Sequence, residues 1–173
     1  MKKLFLVLMA TMILAVGCTT KIKSSGGVSA VRLEQGQKIL VVVPADGGFS
    51  GKTYANSGRE TAGRLQKALI YRASTITLSK AQADIQAALK DGRAAGCRYV
   101  IHPEITQWEP RAAAWSGIPT RVSFFVTVYD LKSGVEPVMQ QSLEARGRIW
   151  TFKSQFPADI AEAMFRQFAD EVF

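Results

Sequence analysis

Along this 173-residue chain the apolar positions change period from stretch to stretch, and each period predicts an element. Lys2 and Lys3 precede an apolar run from Leu4 to Val16. That run of about 13 residues is too short to span a bilayer comfortably and reads as the core of a secretory signal. Residues 19–37 are polar and glycine-rich without sustained periodicity, which predicts a flexible tether with a random-coil reach of roughly 25 Å. Ile39 to Val43 is a continuous β-branched and aliphatic run, as in a central strand buried on both faces. Ser57 and Glu60 form a capping box, and Ala62, Leu65, Ala68 and Leu69 follow at helical spacing to about Arg72.

Ser74 to Leu78 is a short β-branched strand. Ser79 and Gln82 make a second capping box before Ile85, Ala88 and Leu89. Gly96 closes that helix, with Lys90 and Arg93 near its negative end. Arg98 to Trp108, Arg121 to Leu131 and Val138 to Trp150 are longer strands. In the middle one Val122, Phe124, Val126 and Val128 alternate with polar positions, so one face is buried. Lys132 to Gly134 turns the chain between the last two, which predicts an antiparallel hairpin. Pro157 opens a final helix whose apolar stripe is Ile160, Met164, Phe168 and Val172. The order β-α-β-α-β-β-β-α predicts an α/β fold with a mixed sheet of about five strands and helices packed on it. The chain divides into a signal at 1–17, a cysteine and tether at 18–37, and a single domain at 38–173.

The formal net charge is +8, and +6 without Lys2 and Lys3. Such an excess suits anionic partners, but the basic residues are scattered, as on a merely solvated surface. Of the two cysteines, Cys97 sits at a helix-to-strand junction, where a free thiol packs as a small hydrophobe. One histidine, His102, excludes a histidine-rich metal site. No metal and no cofactor are expected.

Three stretches could carry chemistry. Asp46 to Thr53 follows a buried strand and ends in Gly51-Lys52-Thr53, like a phosphate-binding loop. Asp46, however, stands where that loop needs its first glycine, and a carboxylate there repels phosphate. The helix also starts late, at Ser57, so nucleotide binding is not expected. His102 and Glu104, two apart on one strand, face the same way. They form either a half-buried hydrogen-bonding pair or, given a nucleophile, the centre of an envelope hydrolase. Trp108, Arg111 and Trp115 surround a loop between strands, and Arg146 and Arg148 share a face of a neighbouring strand. Tryptophan and arginine anchor interfaces, so these five are the candidate partner-binding residues; alternatively the rings cover the sheet edge and the arginines pair with Glu109 and Glu144.

Val16-Gly17-Cys18, with Leu14 four residues before the cysteine, resembles the bacterial lipobox, which implies cleavage before Cys18 and its acylation. Thr19 is not the aspartate that resembles an inner-membrane retention signal, which implies transfer to the outer membrane. The pattern of Trp108, Pro110, Arg111, Trp115 and Gly117, then an alternating strand, a turn and a strand ending in Trp150, resembles an uncharacterised family of Gram-negative lipoproteins known as a domain of unknown function. The element order is similar to the amino-terminal domain of TolB and to curli-secretion-type envelope lipoproteins. The expected function is that of an outer-membrane lipoprotein facing the periplasm. It would be a non-catalytic binding or scaffold component meeting an envelope protein or glycan, with oligomerisation possible and no nucleic acid.

Overall fold

Residues 22–26, 32–82, 84–110, 118–147 and 156–173 are described by the computed structural model. In chain order they form β1 (Ile22–Gly26), β2 (Lys38–Val43), β3 (Gly48–Phe49), β4 (Lys52–Thr53), α1 (Ser57–Leu69), β5 (Thr75–Ala81), α2 (Ile85–Ala94), β6 (Tyr99–Glu109), β7 (Arg121–Asp130), β8 (Pro137–Arg146) and α3 (Pro157–Val172). Six strands make one mixed sheet in the order β1-β8-β7-β6-β2-β5, and β3 with β4 make a separate ribbon. β2 runs parallel to β5 and β6, because a helix carries the chain back between these strands. The rest of the sheet is antiparallel.

The aliphatic run of β2 divides by parity. Ile39, Val41 and Val43 join the core under α1 and α3, whereas Leu40 and Val42 join Ala88, Leu89 and Val100 under α2. Both faces of this strand are therefore dry, which is why it shows no alternation. β7 alternates because only Val122, Phe124, Val126 and Val128 meet the larger core. Phe124 lies 4.8 Å from Phe165 of α3, centroid to centroid. At the rim, Glu162 of α3 takes Arg64, Lys67 (2.9 Å) and Arg166. Hydrogen bonds from Lys67 and Arg64 hold its carboxyl at about 2, well below the ordinary 4.5, so α1 and α3 are cross-linked by charge as well as by packing.

The fold class agrees with the reading from sequence, with three local corrections. The sheet has six strands, not five, because Ile22–Gly26 pairs antiparallel with β8 inside the stretch that reads as tether. Ser57 does not cap α1: Asn56 holds the cap position at φ 69°, with no bond from its own side chain. Ser79 lies in β5, which runs to Ala81, and α2 begins only after Asp84, whose carboxylate accepts from the Gln86 and Ala87 amides. The last strand ends at Arg146, and residues 148–150 of the expected strand lie outside the described residues. Gly96 does terminate α2, at φ 67°, with the Cys97 amide donating to the Gly92 carbonyl and the Gly96 amide to that of Arg93. Cys97 is buried in the smaller core, and burial raises its thiol pKa.

Candidate functional site

β2 and β5 are parallel neighbours whose chains leave in opposite directions, one to α1 on one face and the other to α2 on the other. Open α/β sheets place their crevice at such a switch point, outside the carboxyl ends of the strands. A cleft of about 310 Å3 lies there, lined by Val43, Pro44, Ala45, Asp46, Gln82, His102, Glu104 and Ile105. His102 and Glu104 are brought together as their spacing predicts. None of the other lining residues carries a hydroxyl or thiol, so the cleft lining offers the pair no serine-, threonine- or cysteine-type nucleophile. Among the described residues no group of three or more acidic, histidine or cysteine side chains is placed to hold a metal ion.

The loop after β2 shows what stands where a phosphate would sit. The Asp46 carboxylate accepts from the Gly58 amide at 2.9 Å and the Asn56 amide at 3.1 Å. Ser57 Oγ accepts from the Gly47 amide at 2.8 Å and donates to the Tyr54 carbonyl at 2.7 Å. The positive end of α1 thus holds an internal anion. Gly58 makes this possible, because a Cβ there would stand 2.2 Å from the Pro44 carbonyl oxygen. Lys52 lies on β4 with its ammonium 5.3 Å from the centre of the Tyr54 ring, not in the first turn of a helix. Calorimetry of the mature domain with ATP and magnesium is therefore expected to show no heat of binding. Micromolar binding that disappears in Lys52→Ala would contradict this assignment.

His102 has its pKa lowered from 6.5, chiefly because burial disfavours the imidazolium; the neighbouring Glu104 carboxylate works in the other direction. In the interval below 6.5 the unfolded chain binds the proton that the folded one refuses. The histidine therefore costs no stability above 6.5, and stability falls as pH drops from 6.5 through the folded value. Because the chain has a single histidine, one imidazole resonance reports this. Its NMR titration midpoint should lie below 6.5 and fall further in Glu104→Gln. A midpoint above 6.5 would refute the burial of the ring.

Of the five predicted partner-binding residues, Trp108 and Arg146 are described, and they differ in exposure. Trp108 is 4% exposed and meets Phe124 edge-on, with centroids 6.4 Å apart. It is a core residue, which corrects its assignment as a surface anchor. The register of β6 shifts between Ile105 and Gln107, so Trp108 turns to the α1–α3 face instead of sharing the face of His102 and Glu104. Glu109 beside it is also buried, and accepts from Gln107 at 2.9 Å. Arg146 is exposed at the end of β8, directly across from Arg121. Arg111, Trp115, Arg148 and Cys18 lie outside the described residues. Sequence reasoning missed the capping role of Asp46 and the place of Gln82 in the cleft. Asp46 is 12 positions from the Gly58 amide it accepts from, beyond any local capping pattern.

Similar folds occur in solved structures. PelC from Paraburkholderia phytofirmans, a dodecamer, superposes with a TM-score of 0.65 at 15% identity, covering 89% of this chain and 97% of that one. Lipoprotein GNA1162 from Neisseria meningitidis gives 0.52 at 17% identity, covering 78% and 99%. TolB from Acinetobacter baumannii gives 0.44 at 16% identity, over 89% of this chain and 30% of that one. At these identities the first two likenesses speak for the fold alone, and the third carries no further weight. No curated protein matches the sequence. Residues 31–172 match the family described as Domain of unknown function (DUF4823).

Proposed function

The chain belongs to the DUF4823 family of domains of unknown function, and on that premise we propose that it is an outer-membrane lipoprotein, anchored through Cys18 and facing the periplasm. Its domain acts by binding, as a non-catalytic component of an envelope assembly. The anchor rests on the signal run and on Val16-Gly17-Cys18. Binding rests chiefly on one observation, the unequal cover of the sheet. α3 packs against β7 and β8 on the larger core, whereas α2 packs chiefly against β2 and β6. Beyond α2, among the described residues, no helix covers the face that carries Ser123, Phe125 and Ser142, all half-buried. Phe125 there opposes Glu104 on one side and Ser142 on the other, an apolar centre in a polar surround, as in protein interfaces.

A second copy of the chain is the partner this reading favours, supported by the dodecamer that the similarly folded PelC forms. Fractionation and cross-linking on one strain test the proposal. Cys18→Ser should leave uncleaved or soluble protein, since stable anchoring takes more than one lipid signal and a mature lipoprotein carries three chains. Fully processed, membrane-bound protein in that variant would defeat the anchor. Phe125→Lys, whose ammonium would face Glu104 across the ladder, should abolish a cross-linked oligomer while the domain still melts cooperatively; an undiminished oligomer would defeat the binding face.

A further inference from the structure

β1 begins at Ile22, four positions after Cys18. An extended chain covers at most about 3.5 Å per residue, so the Cα of Cys18 lies within about 14 Å of the start of that strand. The ladder fixes which end of the sheet this is. Ile22 opposes Ala145, near the end of β8. β8 is antiparallel to β7 and β7 to β6, so β8 runs the same way as β6 and β2. The anchor therefore leaves the domain at the end that holds the carboxyl ends of β2, β6 and β8, the start of β7, and the starts of α1 and α3.

We infer that the domain stands on the bilayer that holds its anchor, with this end of the sheet against the lipid, Ile118 and Phe156 in the headgroup layer and Arg121 and Arg146 toward the phosphates. The inference rests on the acylation of Cys18 proposed above. Ile118 is 41% exposed and Phe156 66% exposed. Ile118 lies two residues before Thr120, whose carbonyl accepts from the Gly147 amide at 2.8 Å, so the chain entering β7 and the chain leaving β8 meet at this end. Apolar side chains beside basic ones suit the interfacial layer of a membrane. Arg121 and Arg146 stand directly opposite each other, where like charges repel. Glu109, in register with Arg121 on its other side, supplies one negative charge to this row, which leaves one positive charge for a lipid phosphate. Lys23 adds none, since Glu144 opposes it.

Ile70, Tyr71 and Val135 are exposed at the far end of the sheet, so exposure alone does not choose between the ends. The four-position reach of the anchor does. β7 has 10 residues, which places the two ends about 30 Å apart, and a tether of about 14 Å cannot bring the far end down without turning the whole domain over.

The test uses the full lipidated chain, purified with its acyl groups and reconstituted in vesicles of phosphatidylethanolamine and phosphatidylglycerol. Single NBD labels are placed on Ile118→Cys and Phe156→Cys at the near end and on Tyr71→Cys and Val135→Cys at the far end; the parent protein, with buried Cys97 in place, is the blank. A nitroxide carried on the lipid headgroup is expected to quench the two near labels about threefold or more beyond the far ones, because only an interfacial position brings the label into the headgroup layer. Equal quenching at the four positions, or stronger quenching at 71 and 135, would overturn the orientation. Arg146→Glu should reduce near-end quenching by about half, as one attracted charge becomes a repelled one; unchanged quenching would overturn the role given to the arginines. Mass spectrometry of the same preparation separates the two failures. A chain without acyl mass would overturn anchor and orientation together, whereas an acylated chain with uniform quenching overturns the orientation alone.

Discussion

Phe165→Ala is expected to lower the unfolding free energy by about 4 kcal/mol, the usual cost of emptying an aromatic from a packed core. The ring is fully buried and lies 4.8 Å from Phe124, tilted by 39°, at the point where α3 closes over β7. Phe124 in turn supports Trp108 edge-on. Deleting Phe165 therefore leaves a cavity that its neighbours, held by the sheet ladder, cannot collapse to fill. For a domain of this size the loss corresponds to about 12 °C in melting temperature. Phe156→Ala, at the residue immediately before α3 and 66% exposed, should change it hardly at all. A thermal melt that moves equally for both variants would show that α3 is not packed as described.

Alanine at Gly58 and alanine at Gly63, two positions in α1, should act in opposite directions. At Gly58 the new Cβ meets the Pro44 carbonyl oxygen at 2.2 Å, the carbonyl carbon at 3.1 Å and the Ala45 carbonyl oxygen at 3.2 Å. All three are backbone atoms of the loop that Asp46 ties to the helix, so none can swing aside. The first turn of α1 must move away, and the Asp46 bonds to the Asn56 and Gly58 amides stretch with it. The expected loss is about 3 kcal/mol, the upper range for an overpacked site. Gly63 has open space around its Cβ position, and there alanine should stabilise by about 0.5–1 kcal/mol through helix propensity. Denaturant melts with unchanged m-values would measure both. Equal, small effects of one sign would mean that the loop and helix do not approach as described. The experiment also bears on the cleft, because the loop that Gly58 admits carries Pro44, Ala45 and Asp46 into its wall.

The elements that were legible in the sequence are those whose signal is local. The aliphatic run at 39–43 became a strand dry on both faces. Alternation in 121–130 became a strand with one buried face. Pro157 became the first residue of α3, and Gly96 the end of α2. In each case the residue type restricts the backbone or demands burial within a few positions of itself, so tertiary structure had little freedom to change the outcome.

The capping boxes failed for the same reason reversed. Ser57 and Ser79 had the right local spacing, yet the better acceptors were Asp46, brought from 12 positions away, and Asp84, nearer the true start of α2. Likewise β1 is Ile-Lys-Ser-Ser-Gly, a stretch with no β-branched alternation, and it is a strand only because the free edge of β8 offers it hydrogen bonds.

By itself, then, the sequence determined the α/β class, the order of its main elements, the parity of the core strands, and the placing of His102 and Glu104 on one face. Only the tertiary structure decided the strand order, the filling of the α1 amide cradle by Asp46, and the pairing of Ile22–Gly26 with β8. It also decided the inward turn of Trp108, which a one-residue register shift in β6 moved from one face to the other. The physical reason is that periodicity records which side of its own element a residue occupies, whereas a bulge, a distant carboxylate or an unpaired strand edge acts through contacts between segments far apart in the chain.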